Sequence, residues 1–363
     1  MEKIYVNLKK NIDNSYEILF TENVWWKLSN FLKEKWKERT CIIMDENVKK
    51  YCFDKFIKNF DLSYDVLILA SGEQNKNTEN LFKIIDKFNE LNLNRNDIVV
   101  ALWWWVIGDM VGFASAIYKR WINFVQVPTT LLSMFDSSVW WKTAIDYGNI
   151  KNLIWAFKQP QLVLINYNFL ETLEKREVLS WYFEGLKHSL IDSKEHWEFY
   201  KKNAELFFEN IKSPLLTKVI KKSIQVKANI IMQDETEQWI RKFLNYGHTF
   251  WHAIESLSNY KLPHWVAVAF GMIYENLLSS NLWKLDIKTL YEVNNFILEK
   301  VKDFKIEFFD FENILQKMKK DKKNSWNAIT FSLLVDFGNM ETISINEKDL
   351  LEKVYKDFNS FVK

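Results

Sequence analysis

Glycine is scarce here: 8 of 363 residues, where ordinary usage of about 7% gives roughly 25. A chain so poor in glycine has few places where the backbone takes a left-handed turn or a ligand approaches the main chain. Cysteine is scarce too. Cys41 and Cys52 exclude a disulfide framework and read as packing residues in a reducing cytoplasm. The opening MEKIYVNLKKNIDN has no apolar core, and no run of about 18 apolar residues follows, which excludes a spanning helix and an export signal and predicts a soluble cytoplasmic protein. Charge of one sign is also missing. Lys and Arg number 49 against 47 Asp and Glu, a net +2, which gives no field for a nucleic-acid backbone or an anionic membrane and leaves small anions held by local clusters. What is abundant is tryptophan. There are 17, with runs at Trp25–Trp26, Trp103–Trp104–Trp105 and Trp140–Trp141. Large rings rarely fill consecutive turn positions, so most of them are expected to stand where a working relative has glycine.

The first 160 residues alternate short β-branched runs with amphipathic stretches. CIIMD (41–45), DVLILA (65–70), DIVVAL (97–102) and NFVQVP (123–128) read as strands, and 76–92 and 107–118 have helical spacing between them. That alternation predicts an α/β fold beginning with a Rossmann-like parallel domain, 1–160. After Pro160 helical periodicity takes over at 174–192, 213–233, 242–257, 266–281 and 285–301, which predicts a mainly helical second domain, 161–363. Within it AITFSLLVDF and METISI flank Gly338-Asn339 and predict a late hairpin.

The segment 101–120, ALWWWVIGDMVGFASAIYKR, runs from strand through turn to helix, where backbone amides normally meet a pyrophosphate at a helix N-terminus. Gly108, Asp109 and Gly112 remain there. VPTTLLSMFDSSVWWKTAIDYGNIKNLI (127–154) then gathers threonines, an aspartate and lysines, a stretch that by itself equally describes a charged surface loop. Later come FEGLKH (183–188), RKFLNYGHTFWHAIE (241–255) and LPHWVAVAFGM (262–272). His248 and His252, four apart, project from one helix face, and with His264 and Glu184 they make a metal site and ordinary polar packing comparable readings.

Taken in order, VPTTLLSxxDSSV, KTAID, KNLIxAFxQP and LNxGHTFxHAIE resemble the 3-dehydroquinate synthase family, over nearly the whole chain from SGEQNK (71–76) to the DKK at 321–323. The resemblance implies conversion of 3-deoxy-arabino-heptulosonate 7-phosphate to 3-dehydroquinate and phosphate, with NAD reduced and reoxidised in each turnover. It implies zinc or cobalt on Glu184, His248 and His264, polarising the hydroxyl to be oxidised. Asp136, Lys142, Lys151, Asn152, Lys187, Lys227, Arg241, Asn245 and His252 match substrate-pocket positions, as does Arg120, which in the family can serve a neighbouring subunit. Asp45, Glu73, Lys76, Asp109, Thr129 and Thr130 match NAD contacts. The implied partner is a phosphorylated keto acid, and the implied assembly a homodimer. Several fixed cations suit a substrate carrying both phosphate and carboxylate.

The family pattern places glycine at 103, 104, 105, 121, 140, 141, 155, 181, 239, 251 and 265, and this chain has tryptophan at every one. Trp25, Trp26, Trp36, Trp283 and Trp326 are candidates for the same replacement, and Trp197 for an original aromatic. The polar residues are kept while the backbone freedom is removed. NAD is expected to be blocked at 103–105, and overpacking of about 1–3 kcal/mol per tight site strains the fold. The sequence therefore predicts a synthase framework that is disabled or strongly impaired. Three alternatives remain: an active synthase with rearranged loops, a related sugar-phosphate cyclase, and a non-catalytic Trp-rich scaffold that self-associates.

Overall fold

In the computed structural model, the apolar runs of the first half pair as a parallel sheet. The structure describes residues 13–35, 37, 39–57, 60–103, 106–131, 133–134, 142–148, 150–172, 175–203, 206, 213–235, 237–258, 264–304, 308–319 and 328–363. They fall into two compact units, one within Met1–Ser133 and Trp140–Phe169, the other within Met134–Val139 and Leu170–Lys363.

The first unit contains strands β1 (Glu17–Phe20), β2 (Arg39–Asp45), β3 (Ser63–Leu69), β4 (Ile98–Trp103), β5 (Asn123–Pro128), β6 (Lys142–Tyr147), β7 (Ile150–Phe157) and β8 (Leu162–Ile165). Its helices are α1 (Val24–Glu34), α2 (Glu46–Tyr51), α3 (Phe53–Ile57), α4 (Thr78–Glu90) and α5 (Ile107–Ile117). Six strands form one sheet in the order β1-β8-β5-β4-β2-β3, every pair parallel. Central strands buried on both faces read as near-continuous apolar runs, and β2, β4 and β5 are buried along almost their whole length. The four strands expected from sequence are present. β1 and β8 are additional, each only four residues long. Helices α4 and α5 cover a core of Cys41, Ile43, Ile84, Phe88, Val99 and Met110. Burial pushes the Cys41 thiol up to about 12, so it packs as a small hydrophobe.

From Lys142 onward, the stretch whose charge also suits a surface loop enters an antiparallel hairpin of β6 and β7. It lies on α5 because Gly112 offers no side chain: a Cβ there would come 2.3 Å from Thr143 Cγ2.

The second unit holds α6 (Lys175–Asp192), α7 (Lys194–Asn203), α8 (Pro214–Gln233), α9 (His248–Leu257), α10 (His264–Asn281), α11 (Ile287–Val301), α12 (Phe311–Lys319) and α13 (Lys348–Phe361), with a hairpin of β9 (Ile329–Asp336) and β10 (Asn339–Ile345). A helix apolar on every side belongs in a core. From Trp265 to Ser279 every residue of α10 is buried, and it packs against α6, α9, α11, α13 and β9. The helix expected over 242–257 is two elements, a 3₁₀ turn at Ile240–Asn245 and then α9. Gly247 at φ +81° breaks them apart. Among the described residues no helix is long and apolar enough to cross a membrane.

Candidate active site

Each unit carries one cluster of the residues singled out by sequence. In the first, the Lys76 Nζ lies 2.6 Å from Asp109 Oδ2 at the start of α5 and donates to Asn152 Oδ1 at 2.5 Å. Burial works against the Lys76 ammonium, but the carboxylates of Asp109, Glu73 and Asp146 outweigh it and raise its pKa. Asp146 closes the cluster: its Oδ1 accepts from Asn152 N at 2.7 Å, and its own N donates to Lys76 O at 2.7 Å. Its carboxyl is raised by burial. Sequence reasoning passed over Asp146, which lies inside KTAIDY with no distinguishing spacing.

The other expected cofactor contacts lie at strand ends. Asp45 ends β2 and caps α2, its Oδ1 accepting from Val48 N at 2.8 Å, and burial raises its pKa. Thr129 donates from N and Oγ1 to Trp103 O at 2.9 and 3.0 Å. Thr130 bonds with Ser133. Glu73 stands half-buried in a 3₁₀ turn. Lys142 is half-buried at the start of β6, whereas Lys151 and Arg120 are exposed.

Trp103, the last residue of β4, packs against the start of α5. The Trp103 side chain is 1% exposed, and a Cβ on Gly108 would come 2.6 Å from its ring atoms. The indole therefore occupies the space beside the Gly108 Cα in the first turn of α5.

The second cluster joins α6 to α9. Glu184 and Lys187, one turn apart on α6, are both buried, and Lys187 Nζ sits 2.5 Å from Glu184 Oε2 as an ion pair. The same ammonium donates to Leu244 O at 2.9 Å. His248 Nε2 lies 3.7 Å from Glu184 Oε1, while its Nδ1 is 3.0 Å from Tyr246 O. With Nδ1–H donating to that carbonyl, the Nε2 lone pair faces the carboxylate, the arrangement of a metal-binding histidine. Two ligand atoms each about 2.1 Å from a tetrahedral zinc stand roughly 3.4 Å apart, so this pair suits a metal. The His264 side chain, like Asp136, Trp104, Trp105, Trp140, Trp141 and 321–323, lies outside the described residues, and among those described no set of three candidate ligands is assembled.

His252 follows His248 on α9, exposed, with ring centroids 5.7 Å apart. Lys227 is buried on α8, and Arg241 is buried in the 3₁₀ turn, its Nη1 donating to Glu235 O at 2.6 Å. Asn245 donates to Glu237 Oε1 at 2.9 Å. Two carboxylates missed from sequence shape this region. Burial alone would raise the Asp234 carboxyl, but N–H donors from Gln238, Arg241 and Trp239 hold it below the usual range. Glu275 on α10 is fully buried and accepts from Gly247 N at 2.8 Å and Thr249 N at 3.2 Å, fixing the first turn of α9 and with it His248. Neither stands at a spacing that marks it.

Residues 66–180 match the model of the 3-dehydroquinate synthase N-terminal domain, and 182–324 that of the C-terminal domain. The chain belongs to the 3-dehydroquinate synthase family. The 3-dehydroquinate synthase of a Thermoanaerobacter species is 36% identical over 97% of this chain and 99% of its own. That of Alkaliphilus metalliredigens is 35% identical over 98% and 99%. The fold is also that of 2-epi-5-epi-valiolone synthase from Streptomyces hygroscopicus, solved with NAD+ and Zn2+, at a TM-score of 0.85, 19% identity and coverage of 98% and 99%. A 2-deoxy-scyllo-inosose synthase complexed with carbaglucose-6-phosphate, NAD+ and Co2+ gives 0.82 at 22% identity, covering 94% and 96%.

Proposed function

We propose that this chain is the framework of a 3-dehydroquinate synthase, acting on 3-deoxy-arabino-heptulosonate 7-phosphate, whose activity is strongly impaired by tryptophan at the cofactor turn. The observation that carries this reading is the coexistence of an intact Glu184–His248–Lys187 cluster with the Trp103 indole packed on Gly108. Glu184 and His248, with His264 as the third ligand, would hold zinc or cobalt, which supplies a Lewis acid for the substrate hydroxyl. Lys187 balances the Glu184 carboxylate, and the Tyr246 carbonyl keeps His248 in the tautomer that leaves Nε2 open. Lys142, Lys151, Lys227 and Arg241, with Asp136, Asn152, Asn245, His252 and Arg120, are the proposed substrate contacts. Their role is to orient and neutralise a phosphate and a carboxylate. Residues 1–160 form the proposed cofactor domain and 161–363 the metal and substrate domain, in a homodimer. No redox step is assigned, because in this reading the tryptophans bar NAD from the turn.

A related sugar-phosphate cyclase is the second reading, supported by the likeness of fold to the two cyclases solved with NAD+ and a metal; turnover of a different sugar phosphate would favour it. Metal analysis tests the centre. The purified chain is expected to carry one zinc that is lost in Glu184→Ala, and equal zinc in both would overturn the assignment.

A further inference from the structure

Among the described tryptophans, Trp197 stands apart from seven others. Trp197 has everything a buried indole needs: it is 0% exposed, its Nε1 donates to Glu292 Oε1 at 2.9 Å, and its ring meets Phe296 edge-on and Phe337 in a stack. Trp103 and Trp251 are buried as deeply, yet neither Nε1 has an acceptor among the described residues. Buried polar groups are rarely left so.

Trp283 fails differently. It follows α10 at φ +59°, in the turn where Trp283 N donates to Ser280 O and Lys284 N to Ser279 O, and its side chain is 96% exposed. A left-handed residue just past a helix end is the place glycine takes, because it has no Cβ to clash. Trp26, Trp121, Trp155 and Trp239 leave half or more of their surface in solvent. Only Trp197 is both fully buried and hydrogen-bonded through its indole among these positions, in a chain with 17 tryptophans and 8 glycines.

Independent substitutions would scatter over many residue types. Replacement always by the same residue, at sites suited to glycine and with polar neighbours kept, has the form of one decoding rule. Tryptophan has the single standard codon UGG, and its neighbour UGA is ordinarily a stop that a cell can reassign to an amino acid. We propose that Trp103, Trp251 and Trp283, with the exposed tryptophans of the same class, are glycine in the chain made by the source cell, through a codon rendered as tryptophan in this sequence, while Trp197 is tryptophan in both. The inference rests on the same reading of the Trp103 turn as the proposed function. Glycine at 103 clears the Gly108 backbone, glycine at 251 removes a donor that has no acceptor among the described residues, and glycine at 283 relaxes the end of α10.

Tandem mass spectrometry of peptides from the protein purified from its source cells tests this, alongside the codons of the same gene. The expected result is glycine at 103, 251 and 283, tryptophan at 197, and one codon at the first three that differs from the codon at 197. Tryptophan at 103, 251 or 283 in the native peptides would overturn the inference, as would glycine at 197 or a codon shared by all four. The impairment reading is tested separately by titrating NAD into two recombinant versions of the whole chain, one with tryptophan and one with glycine at these sites. Saturable binding by the glycine version alone is expected. Equal binding would remove the impairment and leave the peptide result standing.

Discussion

Lys76 illustrates how a single side chain can be readable in a sequence while its work is not. SGEQNK marks the lysine, but its partners are Asp109 and Asn152, 33 and 76 positions away, and only the sheet brings them together. Removing one member of a buried ion pair leaves the other uncompensated. Because Asp109 keeps 24% of its side-chain surface in solvent, Lys76→Met is expected to lower stability by about 2 kcal/mol rather than by the larger cost of a fully buried charge. Urea unfolding measures it, and an unchanged midpoint would show that the pair is incidental. His196 makes a prediction about pH. Burial, with the nearby Lys222 charge, lowers its pKa from 6.5 to about 4. The folded state therefore resists protonation that the unfolded state accepts below about pH 6.5. Stability is fully present above that value and is lost as pH falls toward about 4, by up to roughly 3 kcal/mol. His196→Asn, which keeps a donor for Asp192, should lose less stability between pH 7 and 4 than the parent; equal losses in the two unfolding series would assign acid sensitivity elsewhere.

Elements were legible where their periodicity was long or their runs mostly apolar. β2, β4, β5, α4, α5 and the β9–β10 hairpin meet that condition. β1 and β8 do not, since four residues carry too little pattern to stand out from their flanks, and β8 follows Pro160 and Gln161, where the sequence otherwise turns helical. The break between the 3₁₀ turn and α9 was hidden for another reason: one apolar periodicity runs through both, and the interruption depends on Gly247 and on what crosses it. What crosses it is α10. A Cβ on Gly271 would stand 1.8 Å from Gly247 O, so the helix and the turn before His248 meet backbone to backbone. Gly271→Ala is therefore expected to push α10 away from α9 and destabilise the chain by about 3 kcal/mol, at the upper end of ordinary overpacking. Zinc content should fall along with the urea midpoint. Full zinc and an unchanged midpoint would mean that the crossing gives way without cost.

At the scale of the molecule, the order of motifs carried family and fold, while the supports of the site stayed hidden. Glu184 and His248 announce themselves in FEGLKH and LNYGHTF. Glu275, which sets the first turn of α9, is one acidic residue in a long helix, and its role exists only after α9 and α10 have packed. The tryptophans act at this scale too, because they occur in both units. Recovery is expected in steps. NAD binding, followed by calorimetry, should return when 103, 104 and 105 are changed to glycine together. Release of phosphate from substrate should return only when 140, 141, 155, 181, 251 and 265 are changed as well, since small displacements in a pocket cost about 10²-fold in rate. Normal affinity and turnover in the unchanged chain would end the impairment reading and leave the family intact.

The strand order has a consequence for how the chain is made. Among the described strands β1 pairs with β8 alone, so residues 17–20 leave the ribosome long before that partner, 162–165, exists. At ordinary elongation rates the wait is on the order of ten seconds. Throughout it the sheet can assemble from β2 through β5 while β1 waits for β8, an edge within reach of any neighbouring nascent chain.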